Sequence, residues 1–161
     1  MRTVKAGAWR AGHSAAMAQA PLFIDHLDAA VDHVLDTVRG DIVLGLPLGI
    51  GKPNPFANAL YRRIKANPAR RLRIITALSL AKPVGHSELE QHFLAPLVER
   101  LFADYPDLDY VRDSRTKALP PNIEVREFFM KTGDYLNNAA AQQGYISTNY
   151  TFVARDMAVQ G

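Results

Sequence analysis

Apolar and polar positions along this chain fall into blocks whose period switches between that of a helix and that of a strand. From Leu27 to Val38, apolar side chains recur at helical spacing (Leu27, Val31, Val34, Leu35, Val38), and Gly40 stands where a left-handed C-terminal cap is wanted. Asp41 to Leu46 is a compact β-branched and leucine run that predicts a strand, and it opens into the loop Pro47-Leu48-Gly49-Ile50-Gly51-Lys52-Pro53. Beyond the loop, Asn54 is placed to cap a helix and Pro55 to occupy its first turn, where proline's missing N–H would have been unpaired anyway. Phe56, Leu60 and Ile64 then share the buried face of that helix. Asn67-Pro68 ends it, and Leu72 to Leu78 follows as a nearly continuous apolar strand, the pattern of a parallel strand covered on both faces.

Ser87 and Glu90 form an S-x-x-E capping box at the start of another helix, whose apolar stripe is Leu89, Phe93, Leu97 and Leu101 with Leu94, Val98 and Phe102 alongside. Tyr105 to Asn122 carries Pro106, Pro120 and Pro121 and predicts a long excursion with one short helical turn. The pattern then gives a strand over Ile123 to Phe129, a helix over Asp134 to Gln143 closed by Gly144, a short strand over Tyr145 to Ser147, and a last helix from near Thr151. Strands alternating with helices predict an α/β fold built on a mostly parallel sheet with crossover helices. By this reading residues 1–24 are a poorly ordered tail and residues 25–161 one domain. The last helix stops at Gly161, where a further strand would be expected, so the expectation is of an incomplete domain, with a natural short domain ending in a helix as the alternative.

Composition narrows the chemistry. At 161 residues with 48% hydrophobic and 22% charged content, the chain can bury one core and does not have the make-up of a disordered segment. With no cysteine there is no disulfide framework, thiolate nucleophile or cysteine zinc site, which fits a reducing, cytoplasmic setting. The longest apolar stretches, Ile42–Leu48 and Ile74–Ala81, are far short of the roughly 20 residues that span a bilayer, so no membrane partner is expected. The tail carries Arg2, Lys5 and Arg10 without an acid and lacks the apolar core of a secretory signal, although an organelle-targeting peptide would share its composition. Net charge is only +3, but Arg62, Arg63, Lys65, Arg70, Arg71 and Arg73 crowd one window. Phosphates could meet that window, or it could be a solvated helix face. Nucleic acid ranks last, because no aromatics interleave as a base-stacking surface requires.

Most familiar motifs fail. A phosphate loop would need glycine where Leu46 stands and Ser or Thr where Pro53 stands, and a dinucleotide fingerprint would need glycine at Asn54. No two histidines have i, i+4 spacing, and no serine sits in a G-x-S-x-G elbow. Glu88, Glu90 and Glu99 fit a solvated helix face, while Glu124 and Glu127 are ambiguous. What survives is the glycine loop itself: between a strand's carboxyl end and a helix, Gly49 and Gly51 allow close approach of a ligand to the backbone, or they simply make a tight turn. Ser147, Thr148, Asn149 and Tyr150 form a polar cluster at another strand-to-helix junction, suited to a ligand or to capping the last helix.

From about Leu27 onward the chain resembles the N-terminal half of the acetyl-CoA hydrolase/transferase family, which includes 4-hydroxybutyrate CoA-transferase-like proteins. The resemblance is carried by the run from Gly40 to Pro53, by Asn58-Ala59-Leu60-Tyr61-Arg62-Arg63, Thr76-Ala77-Leu78-Ser79-Leu80 and Glu127-Phe128-Phe129, and by the run from Gln143 to Thr151. It implies a CoA-transferase-like α/β domain with no permanently bound cofactor, taking acyl-CoA and a small carboxylic acid as substrates. It also implies covalent catalysis by a glutamate in the second half of the enzyme; no glutamate here has a matching glycine-flanked context, so this chain alone is expected to be inactive and to self-associate or pair with a C-terminal half. Carried over by position, Gly49, Ile50, Gly51, Lys52 and Asn54, with Ser147, Asn149 and Tyr150, are the expected coenzyme-binding residues, and none is expected to be catalytic. A stand-alone ligand-binding or interaction module is the competing reading.

Overall fold

A computed structural model describes residues 21–131 and 133–160; the predicted tail lies outside them except for residues 21–24, which run without helix or strand. The elements in chain order are α1 (Leu27–Thr37), β1 (Ile42–Leu48), α2 (Asn54–Lys65), β2 (Leu72–Ala77), α3 (Glu88–Phe102), α4 (Asp109–Arg115), β3 (Ile123–Phe128), α5 (Ala139–Gly144) and α6 (Val153–Gln160). The three strands form one parallel sheet in the order β1-β2-β3, as the alternation of strands and helices requires. Register is in phase from Leu72↔Ile123 to Ala77↔Phe128, but between β1 and β2 it slips once between Gly45 and Leu48. Pro47 sits inside that slip. It has no amide hydrogen for a ladder, and an edge strand is where a sheet tolerates it.

Alternate strand residues Ile42, Leu46, Leu72, Ile74 and Ile123 point into one core with Val31 of α1, Leu60, Tyr61 and Ile64 of α2, and Tyr110 and Val111 of α4. The helical half of the basic window, Arg62, Arg63 and Lys65, is paired with acids of the neighbouring helices on this face. Arg62 Nε donates to Asp109 Oδ2 at 2.5 Å, Lys65 Nζ to Asp113 Oδ2 at 2.5 Å, and Arg63 to Asp32 at 2.7 Å. Tyr61 adds its hydroxyl to Asp113 at 2.7 Å. Burial pushes the Asp113 carboxyl up, yet the bonds from Lys65 and Tyr61 outweigh it and hold the group below its ordinary value.

Several local expectations are corrected. Asn54 does not cap α2: Pro53 holds the cap position, and Asn54 is the first helical residue, its side chain turned to donate to Pro106 O at 2.7 Å. Gly40 does have a left-handed φ of +85°, but α1 ends earlier, at Thr37 with Val38 as its cap. The expected helix over Asp134 to Gln143 is shorter, because Asn138 caps it by accepting from the Ala141 amide and the residues before it run as turns. Tyr145 to Ser147 is no strand; only Tyr145 bridges to Glu127. Ser87 caps α3 as predicted, accepting from the Glu90 amide at 3.2 Å, while the Glu90 carboxylate reaches back to the His86 amide at 2.8 Å. The stripe of α3 is not buried, however: Leu89, Phe93 and Leu101 are 82%, 79% and 62% exposed. No described helix is long and apolar enough to cross a membrane.

Candidate functional site at the carboxyl ends of the strands

All three strands end by turning into the left-handed region of backbone space, at Gly49 (φ +61°) after β1, Leu78 (φ +45°) after β2 and Phe129 (φ +43°) after β3. Glycine takes that conformation freely, but a leucine and a phenylalanine there are strained by about 1–2 kcal/mol each and persist only where surrounding contacts impose the geometry. The contacts are visible. Lys52 is 6% exposed, and its ammonium donates to the carbonyls of Ala77 at 2.7 Å, Gly49 at 3.2 Å and Leu78 at 3.3 Å, tying the loop after β1 to the end of β2. Burial lowers its pKa to about 8 against the opposing pull of the Glu127 carboxylate.

Glu127, the residue before the last of β3, lies on the core face and is 2% exposed; its carboxylate accepts the Ser79 amide at 2.5 Å. Burial raises its pKa, and the Ser79 amide and the Lys52 ammonium oppose that rise. The Ser79 hydroxyl lies 2.8 Å from the Tyr110 hydroxyl, and the Thr76 hydroxyl is buried nearby without a hydrogen bond of good geometry. Tyr135, whose phenol burial pushes up to about 12, lines a cavity of about 400 Å³ beside β3 together with Glu127, Met130 and Ser114. A buried polar network thus spans the ends of β2 and β3, the side of an open parallel sheet at which ligands are met.

The expected site residues divide. Gly49 is buried in a single 3-10 turn, Gly49–Gly51, whereas Ile50 is 71% exposed. An added β-carbon on Gly51 would meet nothing within 4 Å, and Gly51 does not need a positive φ, so of the two glycines only Gly49 has a conformational reason to be glycine. Lys52, expected to contact a ligand, instead spends its hydrogen bonds on three backbone carbonyls and positions the loop. Asn54 is buried, and its Oδ1 has no partner among the described residues. At the junction, Ser147 and Asn149 are exposed, and Asn149 supports the start of α6 by accepting from Thr151, Phe152 and Val153. Tyr150 turns back toward the sheet, with its ring 5.5 Å from that of Phe129.

Sequence reasoning passed over Ser79, Tyr110 and Glu127 as site residues. For Glu127 a signal existed: strict alternation through Ile123, Val125 and Glu127 puts the glutamate on the core face, and Glu124 on the other, where it pairs with Arg73 and Arg126. Ser79 follows directly on the strand Leu72–Ala77 and Leu78, where a site residue at a strand's carboxyl end is to be looked for. Nothing local marks Tyr110. No cluster of three or more metal-ligating side chains occurs among the described residues. No protein-family model, curated protein or solved structure matches the chain.

Proposed function

We propose that this chain is the N-terminal, acyl-CoA-binding part of a coenzyme A transferase or acetyl-CoA hydrolase, lining the active site while a C-terminal half supplies the nucleophilic glutamate. The observation that carries the reading is the convergence of Gly49, Leu78 and Phe129, three left-handed strand ends side by side, on the segments through which the sequence resembles that family. Such a rim, with Lys52 fixing two of its turns, offers rigid backbone to the thioester end of a ligand. The chain's own glutamates do not suit the nucleophile's task. Glu127 is buried and bonded to the Ser79 amide, Glu124 is ion-paired, and Glu88, Glu90 and Glu99 are exposed on α3, away from the three strand ends.

The test is acetyl-CoA binding, followed by calorimetry, to this polypeptide alone and mixed with a separately expressed C-terminal half of a CoA-transferase of this type. The reading expects weak binding alone, tightened at least tenfold by the added half. Saturable tight binding unchanged by that half would favour a stand-alone binding module, and absence of binding in both mixtures would remove the acyl-CoA assignment.

A further inference from the structure

We infer that the groove on the sheet face opposite the α1–α2 core is a site for an uncharged aliphatic chain, and that in an acyl-CoA it selects unbranched apolar acyl groups over dicarboxylic ones. The groove, about 370 Å³, runs over the ends of the strands and is walled by Leu48, Ala77, Phe128, Phe129, Tyr150 and Met157. Its volume is at the lower end of the roughly 300–1,000 Å³ of small-molecule sites, which suits a short chain.

Charge decides the occupant. Among the described residues, none of the side chains lining the groove is an acid, a base or a histidine, so a terminal carboxylate entering it would lose its hydration without gaining a charged partner. An alkyl chain would exchange water for carbon along the walls it touches. The walls are also fixed in advance. Phe129 is held at φ +43°, a conformation its side chain disfavours, and its ring packs on Tyr150 at 5.5 Å, so the aromatic wall exists without a ligand. Opposite, Gly45 leaves the floor open. A β-carbon there would touch the Met157 methyl at 3.6 Å, and a larger side chain would fill the space. At the mouth stand Leu48, 46% exposed, and Tyr150, 78% exposed, and Leu48 leads directly into the Gly49–Gly51 turn. A thioester at that turn would therefore send its acyl chain into the groove.

The inference rests on the acyl-CoA reading, and two probes separate their failures. Dissociation constants of acetyl-, butyryl-, hexanoyl- and succinyl-CoA are measured for the chain. Full burial of one methylene is worth about a fourfold gain in affinity, so a partly open groove should bind hexanoyl-CoA at least tenfold more tightly than acetyl-CoA, with succinyl-CoA no tighter than acetyl-CoA. That dependence on chain length should vanish in Gly45→Val and, as a second variant that leaves the strand untouched, in Val153→Phe. Affinity flat from acetyl to hexanoyl, or favouring succinyl, overturns the inference while leaving the acyl-CoA reading intact. If no CoA ester binds, 1-hexanol replaces them: saturable shifts of the Met157 methyl resonance, absent in Val153→Phe, uphold the groove without the reading, and no shift sinks it.

Discussion

Lys52, in the loop after β1, and Glu127, in β3 across the intervening end of β2, are both buried and feel each other's charge, yet they form no ion pair within 4 Å: the lysine is bonded to three carbonyls and the glutamate to the Ser79 amide. Each therefore bears much of its own desolvation, and the two shifts run in opposite directions.

The lysine's half of this arrangement has a pH signature. Its pKa falls from 10.5 to about 8 on folding, so between those values the unfolded chain binds the extra proton and stability rises with pH. A shift of that size corresponds to on the order of 3 kcal/mol. Urea denaturation between pH 7.5 and 9.5 should show wild type gaining stability relative to Lys52→Met as pH rises; above about 10, tyrosine ionisation in the unfolded chain obscures the comparison. Parallel curves for the two proteins would mean that the ammonium is hydrated in solution.

Glu127 gives the reverse sign. A carboxyl whose folded pKa lies above 4.5 binds its proton more tightly in the native state, so its contribution to stability is complete below that value and is lost as pH rises through the folded pKa. Glu127→Gln keeps the shape and a carbonyl to accept the Ser79 amide. It should flatten that decline above pH 4.5 in the same denaturation series, and a slope unchanged by the substitution would exclude a raised pKa.

How much of this was legible beforehand depended on the range of the interaction. The three parallel strands, the crossover helix α2 and the Ser87 cap follow from apolar spacing and capping chemistry within a few residues. Asn54 was misread because its partner, Pro106 O, lies 52 residues away and competes with local capping. The basic window was ambiguous for the same reason: Asp109 and Asp113, which neutralise Arg62 and Lys65, come from the proline-rich excursion. The stripe on α3 reads as a face to be packed, but α3 buries none of its residues, because periodicity cannot tell whether anything covers a face. At the strand ends the loop drew attention to Gly49 and Lys52 as ligand contacts, and the structure gives Lys52 a bracing role instead, whereas the Ser79–Tyr110 contact joins residues 31 positions apart that no local motif connects.

The two glycines of the loop should separate when each is changed to alanine. Gly49 at φ +61° forces a β-carbon into a strained conformation, at a cost of about 1–2 kcal/mol, while Gly51, with open space around it, should change stability by less than about 0.5 kcal/mol. Because a β-carbon on Gly51 meets nothing within 4 Å, Gly51→Val is a clean probe of ligand approach: if the proposed function holds, together with a C-terminal half it should lower kcat/KM by ~10-fold or more at unchanged Tm. Wild-type kinetics in that variant would place the loop away from the reacting thioester.

Gly144 is constrained more severely, since an ideal β-carbon there lies 2.2 Å from the Val125 carbonyl oxygen, a backbone atom that cannot move without disturbing β3. Gly144→Ala must push α5 off the edge of the sheet, and a destabilisation of about 1–3 kcal/mol is expected. Hydrogen exchange would localise the loss to the Ile146 amide, which donates to Glu127 O at 3.0 Å. Unchanged protection there would show that α5 can dock in another way.

Activity is the last and sharpest expectation. An acyl-glutamyl intermediate needs a carboxylate that is ionised, unencumbered and able to reach the thioester carbon. Glu127 is the glutamate nearest the strand-end rim, but its raised pKa, its burial and its bond to the Ser79 amide make it a structural acceptor. If the proposed function holds, the isolated chain should therefore neither hydrolyse acetyl-CoA nor exchange its CoA above background, and a C-terminal half should restore turnover with wild-type chain. Glu127→Gln, complemented in the same way, should retain turnover to the extent that it folds, because the glutamine can still accept the Ser79 amide. Turnover by the isolated chain that Glu127→Gln abolishes, with folding intact by circular dichroism, would instead make Glu127 the nucleophile and require the strand-end network to open during the reaction.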